Sequence, residues 1–161
     1  MILIALGANL PSPAGEPAET LRAALQALGA QGVVVRAVSK FYATPAWPDP
    51  SDPPFVNAVA HVETALQPAA LLAVLHNVET AFGRRRGERN APRTLDLDLL
   101  DYEGRLEAGP PALPHPRMSE RGFVLIPLSD IAPGWRHPFT GRSVQSLIAD
   151  LSQEQRKVRE L

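Results

Sequence analysis

Asp96 and Asp98 lie one residue apart in the run Arg89-Asn90-Ala91-Pro92-Arg93-Thr94-Leu95-Asp96-Leu97-Asp98-Leu99-Leu100. Leucine and aspartate alternate strictly from Leu95 to Leu99. That is a strand period, so the two acids share one face and the three leucines share the other. Strand rise sets the carboxylates about 7 Å apart. Side by side and unpaired, they repel. A hard divalent cation removes that repulsion, and one or two carboxylates plus substrate phosphates is the usual way of holding Mg²⁺. Arg93 stands where phosphate charge would lie, and its planar fork can donate two parallel hydrogen bonds to a phosphate. The plain alternative is a half-exposed edge strand with solvated acids.

The elements that would position these groups follow from periodicity. Ile2 to Leu6 reads as a first strand, ended by Gly7-Ala8-Asn9-Leu10-Pro11. A helix is expected from about Pro17 to Leu28, with Leu21, Leu25 and Leu28 at helical spacing and Gly29 as its stop. Val33 to Tyr42 is rich in β-branched and aromatic residues and reads as strand two. Residues 44–54 carry five prolines, so they form neither helix nor central strand, and a loop of that length tends to be functional. Phe55 to Thr64 is strand three, with Val56, Ala58, Ala60 and Val62 on one face and Phe55, Asn57, Val59 and His61 on the other. Pro68 opens a helix to about Phe82. An arginine loop follows from Arg84 to Arg93, and the Asp96/Asp98 strand is fourth. Short helical or extended pieces cover Ser119 to Ile131, and Ser143 caps a helix to about Leu151.

The order β-α-β-β-α-β predicts an α+β, ferredoxin-like core: an antiparallel sheet with both helices on one face, plus C-terminal additions. The opposite, open face would then gather Phe55, Asn57, Asp96 and Asp98. All 161 residues are expected in one domain, a length that supports a real core. There is no cysteine, which excludes disulfides, thiolate catalysis and Cys-ligated zinc. A net charge of −1 argues against a general binder of nucleic acid or membrane surfaces. No apolar run is long enough to cross a bilayer, and the N-terminus lacks the basic start of a signal peptide, so a cytoplasmic location is expected. No obligate protein partner is indicated. Seventeen prolines and no cysteine fit either a thermophilic source or codon bias.

With these pieces in order, the chain resembles the 6-hydroxymethyl-7,8-dihydropterin pyrophosphokinases of folate biosynthesis. The likeness rests on Arg89 to Leu100 and is supported by Ala5-Leu6-Gly7-Ala8-Asn9-Leu10, Thr44-Pro45, Phe55-Val56-Asn57, Glu79, Leu113-Pro114-His115 and Arg121-Gly122-Phe123. It implies transfer of pyrophosphate from ATP to the pterin hydroxymethyl oxygen, releasing AMP, with Asp96 and Asp98 holding two Mg²⁺ ions. Arg84 and Arg93 are implied as catalytic alongside them. The implied ATP contacts are Arg84, Arg86, Arg89 and Arg93 of the loop, then Glu79, Leu99, His115 and Arg121; an ion pair with a loop arginine is the alternative for Glu79, and core packing is the alternative for Leu99. Pterin would lie between Phe55 and Phe123, with Asn57 pairing to its amide edge and the backbone of Thr44, Pro45 and Ala46 reading the rest.

Several positions depart from the family pattern. The arginine loop is one residue shorter than in some members, and Asn90 stands where they carry tryptophan. Pro110 and Ala112 leave only backbone to meet a nucleotide, and Phe55 lacks a tyrosine hydroxyl. Three rival readings use the same features: an RNA-binding module stacking bases on the sheet, a metal-dependent nuclease or phosphatase built on Asp96 and Asp98, and a regulatory domain that binds ATP without turnover. Acids on the sheet face and the charge balance oppose the first.

Overall fold

A computed structural model describes residues 1–85, 87 and 90–161. Its centre is β1 (Ile2–Ala8), buried along its whole length and flanked by a strand on each side. It pairs antiparallel with β4 (Phe55–Glu63) and with β5 (Asp96–Tyr102). On the far side of β4 lie two short strands, β2 (Val34–Val38) and β3 (Tyr42–Thr44). Taken as one interrupted strand, they complete an order consistent with the ferredoxin-like arrangement.

The expected second strand is therefore split. Ser39 breaks it: its N–H donates to Val59 O at 2.9 Å, and its Oγ accepts from Val59 N–H at 3.0 Å while donating to Lys40 O at 2.7 Å. A side chain thus stands in for part of the ladder, as serine readily does. A register shift between Val35 and Ala37 further separates the two pieces.

Helices α1 (Pro17–Ala30) and α2 (Pro68–Ala81) each begin with proline in the first turn, and α1 adds a capping box between Glu16 and Glu19. Leu21, Leu28, Leu71 and Leu75 bury against Ile4, Leu6 and Val62 of the sheet, with Leu97 and Leu99 of β5 in the same cluster.

The opposite face is not open along its length. Helices α3 (Gly122–Ile131) and α4 (Val144–Ala149) cover half of it, packing Val124, Leu125, Leu128 and Leu147 onto Leu3, Val59 and Leu100. Ser143 caps α4, its side chain accepting from Ser146 N–H at 3.1 Å, but the helix ends at Ala149 rather than Leu151. The chain then makes one 3-10 turn (Glu154–Arg156) and a last strand, β6 (Arg159–Glu160), that pairs with β3. Among the described residues no helix is long and apolar enough to cross a membrane.

Candidate active site

The half of the sheet that α3 and α4 leave uncovered forms the floor of a cleft of about 730 Å³. Register builds that floor. Gly7 pairs with Asn57 on one side and Asp96 on the other, so the three share a rung. The next rung carries Val59, Ala5 and Asp98. Small residues on the central strand leave space between an amide and two carboxylates. Strand alternation sends Leu95, Leu97 and Leu99 into the core beneath.

Each carboxylate has its own surroundings. Asp96 Oδ1 accepts from Arg84 Nη1 at 2.7 Å, and Oδ2 accepts from Arg93 Nη1 at 3.2 Å. Asp98 lies deeper. Burial first, and the charge of Asp96 second, push its carboxyl up to about 7, with Arg121 and Arg84 pulling the other way. A carboxylate held in such a place favours a cation. Among the described residues no group of three or more His, Cys, Asp or Glu could hold a metal. Two carboxylates that leave most positions to water and phosphate are the donor set that fits Mg²⁺, which keeps its waters and binds through few carboxylates.

Arg84 is anchored from behind. Its Nη1 donates to Glu79 Oε2 at 2.6 Å and to Leu95 O at 3.3 Å, and the same Glu79 oxygen accepts from Leu97 N–H at 2.9 Å. Glu79, 2% exposed, does not line the cleft. Its place is beneath Arg84, whose guanidinium it holds against Asp96; Arg84, expected at the nucleotide, is itself not among the residues that line the cleft. Leu99 follows the alternation rather than the implied adenine contact: at 3% exposed its side chain packs in the helix-covered core, on the face opposite the acids. Arg86 and Arg89 lie outside the described residues.

Arg93 is held by Asn9, a residue of the Ala5 to Leu10 segment for which no site role was expected. Asn9 Oδ1 accepts from Arg93 N–H at 2.8 Å, the N–H groups of Asn9 and Leu10 donate to Arg93 O, and Asn9 Nδ2 donates to Pro53 O at 3.0 Å. One buried amide thereby joins the arginine loop to the proline loop. An amide directly after a buried strand was the available signal, since it can satisfy donors and acceptors of two chain segments together.

Across the rung from Asp96, Asn57 Nδ2 donates to Thr44 Oγ1 at 2.8 Å, which fixes the amide's orientation. Thr44 and Pro45 line the cleft, whereas Ala46 is buried behind it and does not. Phe55 and Phe123 both line it, each with a guanidinium over its ring: Arg93 at 5.7 Å from the Phe55 centroid and Arg121 at 5.5 Å from that of Phe123. Trp47, 62% exposed, stands on the rim, and Asn90 lines the wall with a left-handed φ of 63° that asparagine tolerates.

His115 enters from the segment beside β5, its N–H donating to Leu100 O at 2.8 Å. Its Nδ1 accepts from Arg117 N–H at 3.2 Å, which leaves the proton on Nε2. Burial, then the charge of Arg121, hold the imidazole down to about 4. At neutral pH it is an uncharged donor. The remaining wall was not foreseen: Leu151, Ser152 and Gln155, from the tail after α4, also line the cleft.

The family model of 7,8-dihydro-6-hydroxymethylpterin-pyrophosphokinase (HPPK) matches residues 3–133. A 2-amino-4-hydroxy-6-hydroxymethyldihydropteridine pyrophosphokinase of Pseudomonas aeruginosa is 41% identical over 150 residues, 92% of this chain and 90% of its own. The protein of that name from Synechocystis sp. is 38% identical over 148 residues, 91% of this chain and 73% of its own. In fold, the chain is similar to the crystal structure of wild-type Plasmodium falciparum HPPK-DHPS, with a TM-score of 0.69 over 92% of its length at 14% identity. It spans only 40% of that longer chain.

Proposed function

The chain belongs to the 7,8-dihydro-6-hydroxymethylpterin-pyrophosphokinase family, and from that premise we propose how its residues divide the work. The family reaction moves a pyrophosphoryl group from ATP to 6-hydroxymethyl-7,8-dihydropterin in folate synthesis. The bond that forms joins the pterin hydroxymethyl oxygen to the β-phosphorus. The bond that breaks is the α–β bridge, so AMP leaves.

The rung Asn57–Gly7–Asp96 carries the assignment, because it places an amide for a flat heterocycle and a carboxylate for a cation across one bare glycine. Asp96 and Asp98 would hold two Mg²⁺ ions, which when bound would neutralise triphosphate charge and favour in-line displacement. Asn57, its Nδ2 fixed on Thr44, turns Oδ1 toward the pterin's donor edge. Phe55 and Phe123 flank the ring, since aromatic faces supply apolar area with fixed geometry. Arg84 and Arg93 share Asp96 in this structure, and ATP brings phosphate oxygens that compete for the same two forks. Arg121 and neutral His115 donate to phosphate from the opposite wall, with Arg86 and Arg89 as further loop cations. Positioning and charge neutralisation suffice, with no covalent nucleophile. The whole chain serves as one domain, works in the cytoplasm and requires no obligate protein partner.

Pterin-dependent release of AMP from ATP tests this reading, with Mg²⁺ varied. AMP formed only when pterin and Mg²⁺ are both present supports it. ATP binding without turnover would favour a regulatory domain, and nucleotides released from RNA would favour a nuclease.

A further inference from the structure

Gln155 sits in the 3-10 turn after α4, in a segment the pyrophosphokinase reading does not use, yet its side chain lines the same cleft. Its Oε1 accepts from the N–H of Gly122, the first residue of α3, at 3.1 Å. A backbone N–H can only donate, so the atom facing it must be the amide oxygen. That leaves Nε2 directed elsewhere, and among the described residues it donates to nothing.

The segment is built into the site at both ends. A Cβ on Gly122 would stand 1.7 Å from Gln155 O, so this approach of two backbones requires glycine there. Further on, β6 pairs Glu160 with Tyr42 and Arg159 with Ala43, and Leu161 N–H donates to Phe41 O at 3.0 Å. The tail therefore ties the wall that carries Phe123 to the strand whose Thr44 orients Asn57.

We propose that Gln155 is a pterin-binding residue, donating from Nε2 to an acceptor atom of the heterocycle while its bond to Gly122 holds the amide in place. This inference rests on the end of the cleft lined by Asn57, Phe55 and Phe123 being the pterin site. Gly122, which holds the amide, directly precedes Phe123, one of the two rings that flank the heterocycle.

The test is calorimetry on the full chain saturated with Mg²⁺ and α,β-methylene ATP, whose bridge cannot break, with 6-hydroxymethyl-7,8-dihydropterin as titrant. Gln155→Glu keeps an acceptor for Gly122 and removes both Nε2 donors; Gln155→Leu removes donor and acceptor. Both are expected to weaken pterin about tenfold, as loss of a hydrogen bond worth about 1.4 kcal/mol requires. Affinity for the ATP analogue should be unchanged, and in turnover the pterin KM should rise more than kcat falls. Wild-type pterin affinity in Gln155→Glu would overturn the proposal, because the acceptor alone would then account for the residue. A change confined to the ATP analogue would overturn it too. Asn57→Ala separates the two levels. If that variant loses pterin and Gln155→Glu does not, the Gln155 assignment alone fails. If neither loses pterin, the pterin site itself is wrongly placed.

Discussion

Gly7 and Asn57 share a rung of the sheet so closely that a Cβ on Gly7 would stand 2.8 Å from Asn57 Oδ1. The bare backbone at residue 7 keeps the amide in place, and Thr44 Oγ1 fixes its other end. Gly7→Ala should therefore displace the Asn57 amide. Pterin affinity should fall by about tenfold or more, equivalent to one lost hydrogen bond of about 1.4 kcal/mol. Overpacking of this kind costs about 1–3 kcal/mol of stability. Calorimetry and thermal melts check both. Unchanged pterin affinity in a folded Gly7→Ala protein would show that the Asn57 amide does not read the heterocycle.

Asn57 and Arg93 should fail in different ways. Asn57→Ala leaves pterin polar atoms unpaired in a closed pocket, at a cost of about 1–3 kcal/mol in pterin binding, with ATP binding nearly unaffected. Arg93 meets charge that shifts during transfer, so Arg93→Ala should appear in the single-turnover rate more than in either binding constant. Normal pterin binding by Asn57→Ala, or a normal chemical step in Arg93→Ala, would mean that the two residues serve other substrates than those assigned.

Much of this arrangement is legible in the residues and some is not. The alternation Leu95 to Leu99 separates acids from core, as the buried leucines and cleft-lining aspartates show. Proline at the start of α1 and α2 and the Ser143 cap also follow from local chemistry. Helix α3 is harder to read because Pro127 lies inside it, a residue that costs a helix interior about 3 kcal/mol. Burial of Val124, Leu125 and Leu128 against the sheet outweighs that penalty, and such packing is invisible to propensity. The tail is harder still: its hold on the cleft comes from Gly122 and β3, far away in sequence. Glu79 and Leu99 show the same limit, since only the packed structure decides whether a side chain faces substrate or core.

His115 should titrate far below an ordinary histidine. Burial and Arg121 lower its folded pKa to about 4 from 6.5, with Arg117 adding to the effect and Asp96 opposing it. Between those values the unfolded chain binds more protons than the folded one. The group's contribution to stability is thus complete above about pH 6.5 and is lost as pH falls toward 4. Imidazole NMR should give a midpoint below pH 5 with the proton on Nε2, and His115→Gln should flatten the stability profile in that window. A midpoint near 6.5 would contradict a buried neutral donor.

The shared face of Asp96 and Asp98 makes its clearest demand in single-turnover formation of AMP, measured with Mg²⁺ titrated to saturation. Wild-type protein should form AMP only with pterin and Mg²⁺ present. Asp96→Ala and Asp98→Ala should each lose more than tenfold in rate, a barrier increase above about 1.4 kcal/mol. Both should stay folded, because neither change opens a cavity in the apolar core. Either variant keeping more than about a tenth of the wild-type rate at saturating Mg²⁺ would contradict its role as a metal ligand in the transfer.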